Sequence, residues 1–147
     1  MTAQSWKSAL TDEDSSAQET LGTIREGDNK VYKYVKFSGT TAQTAGDFVC
    51  YVVTDETLQT VDKAASVLPA GVAMITHSGT GTAYYGWIQI RGVATLNVAL
   101  DAGADGDALT NDGATAGTLT VIDAHAEPQV AIALDISDKQ VILMCPN

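Results

Sequence analysis

The sequence has few basic residues. Lysine and arginine together number 8 among 147 residues, against 18 aspartates and glutamates, for a formal net charge of −10. Nucleic-acid binding requires clustered Lys and Arg that neutralise phosphates, and only Lys30, Lys33 and Lys36 lie close together here. We therefore expect no nucleic-acid partner. We interpret these three lysines, which fall on a predicted strand, as charges that protect a sheet edge.

Cysteine and histidine are equally scarce, with two residues of each. Cys50 and Cys145 lie in apolar runs, so we expect buried free thiols, although a disulfide between them stays open. Two isolated histidines do not supply the three or four ligands of a zinc site. A hydrolase pair of Asp123 and His125 lacks a Gly-x-Ser-x-Gly elbow, and no phosphate-binding glycine motif is present. We predict a protein that is not an enzyme, with no catalytic residue, cofactor or metal.

The most metal-like string runs from Asp101 to Asp107, with Asp112 further on. Counted from Asp101, it has Asp at positions 5, 7 and 12 and Gly at position 6 of an EF-hand loop. Position 3 is Gly, however, and helix signals are missing on both sides. We interpret the string as a solvated turn of Asp and Gly.

Long apolar runs are also missing. None approaches the roughly 18–20 residues that a membrane-spanning helix needs, and the polar N-terminus lacks the apolar centre of a secretory signal. We expect no membrane partner, and synthesis in a reducing cytoplasm.

Short apolar segments separated by Gly, Asp, Asn and Thr dominate the chain from Leu21 onward. About nine such segments recur at the spacing of sandwiches and barrels, and only residues 55–65 could form a short helix or turn. The sequence predicts an all-β fold, a compact β-sandwich or β-barrel-like domain of about nine short strands. We divide it into a polar N-terminal arm over residues 1–22 and a β-rich body over residues 23–147.

The arm carries a small, polar and acidic stretch at residues 11–20, which cannot bury enough surface to order itself. Trp6 is its single anchor. The pattern leaves two interpretations open. In one, the arm docks onto this domain, a neighbouring copy or a partner. In the other, it is a flexible terminus.

Residues 83–92 hold three of the nine aromatic side chains. Gly86 within this segment indicates a bulge or a close backbone approach, and Arg91-Gly92 indicates a turn that ends the strand. No residue pairing in the segment suggests catalysis, so we interpret it as a packing and contact surface. The predicted protein-interaction residues are Trp6, Tyr84, Tyr85, Trp87 and Arg91.

Three pieces of sequence together suggest a family. They are LGTI and VYKYV at residues 21–24 and 31–35, AGVA leading into YGWIQIRG at 70–73 and 85–92, and GDALT with VAIAL at 106–110 and 130–134. Over roughly residues 21–145 the chain resembles small structural proteins of tailed bacteriophages that decorate or cement the capsid.

The resemblance implies a β-rich body on the outer capsid surface of the virion, made in the host cytoplasm. It implies a homotrimer at local threefold positions whose partner is the major capsid protein. The protein would clamp neighbouring capsid subunits against the pressure of the packaged DNA, and the arm with Trp6 would reach along the capsid or a neighbouring copy. The alternatives are a carbohydrate-binding or adhesin-like domain on a virion surface, using Tyr84, Tyr85 and Trp87 as stacking rings, and the small hydrolase considered above.

Overall fold

The computed structural model describes residues 5–65, 67–77, 81–111, 113–123 and 127–147. Within these ranges the chain forms ten strands and no helix, which confirms the predicted all-β fold. The strands are β1 (Ile24–Gly27), β2 (Lys30–Phe37), β3 (Phe48–Tyr51), β4 (Thr60–Asp62), β5 (Leu68–Ala73), β6 (Tyr84–Thr95), β7 (Ala108–Thr110), β8 (Thr120–Val121), β9 (Ala131–Asp135) and β10 (Gln140–Met144).

Five strands close into a barrel. Their hydrogen-bonded order is β2–β4–β3–β5–β6, and β6 returns to pair with β2. β2 and β4 are parallel, whereas the other neighbours in the barrel are antiparallel. β1 extends the barrel beside β2, and β10, β9, β7 and β8 continue outward from β6 as an antiparallel sheet. Closure of the barrel removes two sheet edges that would otherwise lie open.

β6 connects the barrel to the outer sheet and corrects one prediction. We expected a turn at Arg91-Gly92, but both residues lie within β6, which is 12 residues long and does not end there. Gly92 has φ 94°, and a Cβ there would lie 2.6 Å from the carbonyl oxygen of Asn29. The register between β2 and β6 also shifts between Val31 and Tyr32. The extra residue at this bulge is Ile90, and the bulge together with the positive φ of Gly92 bends β6, which lets it leave β2 and pair with β10.

The lysines of β2 correct a second prediction. β2 is not an edge strand, because β6 pairs along one side of it and β1 and β4 pair along the other. Lys33 is buried, and its Nζ donates hydrogen bonds to Tyr51 Oη at 2.6 Å and to the carbonyl oxygen of Leu58 at 3.3 Å. Burial lowers the pKa of the Lys33 ammonium. The sequence pattern could not show that this cation belongs to the interior.

The hydrophobic core has two parts. The larger one fills the barrel and continues beneath β9 and β10. It contains Cys50 and Cys145, which are free and buried as expected, and burial raises the pKa of each thiol to about 12. The smaller one contains Tyr32, Tyr34 and Trp87 from β2 and β6. This second cluster is the part that the N-terminal arm covers.

Candidate functional site

The aromatic strand β6 turns its rings inward. Trp87 is fully buried and Tyr84 is 3% exposed, while Tyr85 is half-buried and Arg91 is exposed. Tyr84 stacks on Phe37 with ring centroids 4.9 Å apart. The structure therefore places two of the five predicted interaction residues inside the chain's own fold, and leaves Arg91 on the surface.

The N-terminal arm, described here from residue 5 to residue 22, packs over Trp87. The rings of Trp6 and Trp87 meet edge-on with centroids 5.4 Å apart, and Trp87 Nε1 donates to the carbonyl oxygen of Ser8 at 3.3 Å. The Arg25 guanidinium lies 5.2 Å and 5.6 Å from the two indole centroids. Of the readings left open by the sequence, the structure shows the arm docked onto its own domain.

Polar contacts fix the arm in register. The Asp14 carboxylate accepts hydrogen bonds from Ser8 Oγ at 2.6 Å and from Tyr34 Oη at 2.8 Å. The Gln18 backbone N–H donates to Tyr34 Oη at 3.1 Å, and Asp14 exchanges two backbone hydrogen bonds with Tyr85. Burial, aided by the Asp14 charge, raises the pKa of Tyr34 to about 12, so its hydroxyl remains a donor at neutral pH. The arm therefore orders through contacts that its composition alone could not supply.

Gly86 marks the place where the arm approaches β6. A Cβ at this position would lie 2.7 Å from Ile75 Cδ1 and 3.2 Å from the carbonyl oxygen of Asp12. The register of β6 with β2 is regular across Gly86. Of the two interpretations of this glycine, the close backbone approach is confirmed and the bulge is not.

Buried carboxylates close loops in this fold. Asp62 accepts hydrogen bonds from the hydroxyls of Ser38 and Thr40, and Asp47 pairs with Lys63 Nζ at 3.0 Å. Burial raises the pKa of Asp62, but the hydrogen bonds outweigh it and hold the pKa below its usual 3.8. Both carboxylates thus have assigned structural partners, and the lowered pKa keeps Asp62 charged at neutral pH.

The acidic string forms turns, as predicted. The carboxylates of Asp101, Asp105 and Asp107 each accept a hydrogen bond from a different backbone N–H. Within the described ranges, no group of three or more His, Cys, Asp or Glu side chains could hold a metal ion. Asp112 and His125 lie outside the described residues.

A polar pocket of about 190 Å³ opens beside β3. Cys50, Lys63 and Asn111 are among the residues that line it. Asn111 Nδ2 contacts Cys50 Sγ at 3.5 Å, and the raised pKa of Cys50 keeps the sulfur as a thiol at neutral pH. A protonated, buried thiol is a poor nucleophile, so Cys50 is not activated in this pocket.

Two apolar surface patches were missed by the sequence analysis. The end patch consists of Val53, Leu58, Val67 and Leu68, which are 39–65% exposed near the adjacent ends of β3 and β5. The sheet patch consists of Val93, Leu134, Ile142 and Met144, which are 36–43% exposed on β6, β9 and β10.

One sequence signal could have revealed the sheet patch. Residues 141–144 are all apolar, although only Val141 and Leu143 point into the core. An antiparallel strand with one solvated face normally alternates apolar and polar residues, whereas a continuous apolar run is typical of a strand covered on both faces.

Comparison of the chain with protein family models, with curated proteins and with solved structures found no match. In the part of the chain that the structure describes, no helix has the length and apolar character needed to cross a membrane.

Proposed function

We propose that this protein is a structural component of a phage virion, not an enzyme, that binds the outer surface of the capsid. It stabilises the mature shell by clamping neighbouring major capsid subunits, and it does so as a homotrimer at local threefold positions. The sequence resemblance over roughly residues 21–145 supports this proposal. The single observation that carries it is the pair of exposed apolar patches on one body.

Contact with neighbours explains the patches better than a solitary protein does. Contiguous exposed apolar residues mark protein contact sites more often than chance exposure. The end patch lies mostly in connections next to β3 and β5, whereas the sheet patch lies on β6, β9 and β10, so they provide two surfaces for two neighbours. A shell protein that touches both its own copies and the capsid needs two such surfaces, and many repeated contacts over a lattice give tight overall binding.

The body also has the stiffness that a clamp requires. Five strands close on themselves, and the arm covers the aromatic cluster through Trp6 and Asp14. In a closed barrel with a docked arm, a load applied at one patch is transmitted to the other through packed strands.

The experiment is co-sedimentation of the purified protein with expanded capsids of the cognate phage. Wild-type protein should pellet with the shells. The double variant Val53→Asp with Val67→Asp should bind at least about tenfold more weakly, because it places charge in the end patch. The control Ala102→Asp with Ala104→Asp adds the same charge at two exposed loop positions and should bind like wild type. Folded wild-type protein that stays in the supernatant would refute the proposal.

No second function is proposed. The carbohydrate-binding alternative depended on exposed rings, and Tyr84 and Trp87 are buried. The hydrolase alternative depended on His125, which lies outside the described residues.

A further inference from the structure

The sheet patch is built from side chains that face one another across three strands. Ile142 on β10 lies opposite Val93 on β6 and opposite Ile132 on β9, so the three side chains form one row. Met144 follows two residues along β10. Leu134 is the extra residue at the bulge between β9 and β10.

The same strands already bury their other face. Val141, Leu143, Ala131 and Ala133 belong to the main core. An antiparallel sheet that is apolar on both faces is covered on both faces in most folds, and a second sheet packs on it at about 10 Å. The described chain places no element over the sheet patch, whose four side chains are 36–43% exposed, and Ile132 beside them is half-buried.

The charges around the sheet patch indicate which kind of partner covers it. The row itself contains no carboxylate, although the chain carries a net charge of −10. Arg91 lies opposite Met144 at one end of β10, and Asp135 lies opposite Gln140 at the other end, followed by exposed Asp138. Lys30 and Glu26 line one groove with Arg91, so that corner carries two cations and one carboxylate, whereas the opposite corner carries the two aspartates.

We propose that the sheet patch is the contact surface between copies of this chain. Two copies with a net charge of −10 repel least where no carboxylate intervenes. Around a symmetric ring, the Arg91 corner of one copy meets the Asp135 corner of the next, and this complementarity favours a second copy over an unrelated partner. Lys139 at the acidic corner donates to the carbonyl oxygen of Asn97 at 2.9 Å, and the two aspartates leave that corner with net negative charge.

This inference rests on the proposed function only for the number of copies, since the homotrimer comes from the sequence resemblance. The contact itself is tested without capsids. Light scattering on a sizing column gives the native mass over a concentration series. Wild-type protein should form a closed oligomer, with the mass of a trimer at the highest concentrations.

Two variants test the two parts of the patch. Ile142→Asp places a charge in the apolar row, and Arg91→Glu makes both corners acidic without touching the core. Each variant should raise the dissociation constant of the oligomer at least about tenfold. The increase for Arg91→Glu should be smaller at high salt, because salt screens the repulsion between the two acidic corners. Circular dichroism checks that Ile142→Asp remains folded, and Arg91→Glu provides the test if it does not. The end-patch double variant is the control and should keep the wild-type mass.

Three results would overturn the inference. The first is a wild-type monomer at every concentration. The second is wild-type mass in both folded variants. The third is monomeric wild-type protein whose capsid binding is lost in Ile142→Asp, because the capsid would then be the occupant of the sheet patch. Loss of capsid binding in the end-patch variant bears on the proposed function alone, so the two proposals fail separately.

Discussion

Removal of the Trp6 ring should undock the arm and expose Trp87. Trp6 is half-buried, and it contacts the ring of Trp87 edge-on while the Arg25 guanidinium lies over both indoles. Trp6→Ala deletes the edge-on ring contact and the Arg25 contact with the Trp6 indole. It leaves available the hydrogen bond that Trp87 Nε1 donates to the carbonyl oxygen of Ser8. The variant therefore measures how much the ring contributes to holding the arm.

The magnitude follows from three contributions. An edge-on aromatic pair contributes about 0.5–1.5 kcal/mol beyond its buried area. A partly exposed cation–π contact contributes about 0.5–1 kcal/mol. Burial of the larger part of an indole side chain adds about 2–3 kcal/mol at about 25 cal/mol per Å², after discounting the surface that the unfolded chain also covers. Because these terms overlap, we expect the free energy of unfolding to fall by about 2–4 kcal/mol.

Urea unfolding followed by circular dichroism measures this loss, and fluorescence locates it. Trp87 is the only tryptophan left in Trp6→Ala, so its emission should shift to longer wavelength as water reaches the ring. Lys7→Ala is the matched control, because the Lys7 side chain is exposed and its backbone N–H still donates to Glu19. A loss below about 0.5 kcal/mol with unshifted emission would show that the arm is not held by Trp6.

The remaining predictions concern contacts inside the body and under the arm. Tyr34→Phe removes the hydroxyl that donates to Asp14, so unfolding free energy should fall by about 1–2 kcal/mol and amide exchange in the arm should accelerate; unchanged exchange would contradict this. Gly71→Ala places a Cβ 2.4 Å from a backbone oxygen of β6, so the free energy of unfolding in urea should fall by about 1–3 kcal/mol. The control Gly27→Ala has no atom within 4 Å of the new Cβ and should lose far less. Equal losses in the two variants would refute the close approach at Gly71. Asp62→Asn should lower the free energy of unfolding by about 2 kcal/mol at neutral pH. Because the folded-state pKa of Asp62 lies below 3.8, this stabilisation is present above pH 3.8 and is lost as the pH falls through the folded-state value. A wild-type advantage that persists unchanged in acid would contradict the assignment.

Local sequence patterns were sufficient for the class of fold. Alternation in short segments, Gly-rich connections and the weakness of helix signals all agree with ten strands, and Trp6 was recognised as the anchor of the arm. These features depend on residues close together in the chain, which sequence reasoning can assess.

Strand partners could not be predicted in the same way. The pairing of β2 with β6 joins residues 47 to 60 positions apart, and it decides that Lys33 faces the interior and that β2 has no open edge. The continuation of β6 through Gly92 has a similar cause, since β10 is available as a new partner only in the folded chain. In each case, tertiary context overrides the local signal.

In the candidate site too, local patterns predict some features, whereas tertiary contacts decide the others. An aromatic strand predicts that rings pack, but it does not predict whether a neighbour, a ligand or the chain's own arm covers them. Here the arm covers Trp87, while the exposed apolar surface lies around Ile142, in the apolar run that ends at the buried Cys145. Arg91 is the predicted interaction residue that lies beside this surface.

The heat stability of capsid particles tests whether the protein stabilises a shell, as proposed above. Particles assembled without the protein are incubated with wild-type protein or with buffer, and DNA release is followed by dye fluorescence as the temperature rises. We expect release at a higher temperature with wild-type protein and an unchanged temperature with the end-patch double variant. Identical release curves at saturating wild-type protein would contradict the proposal.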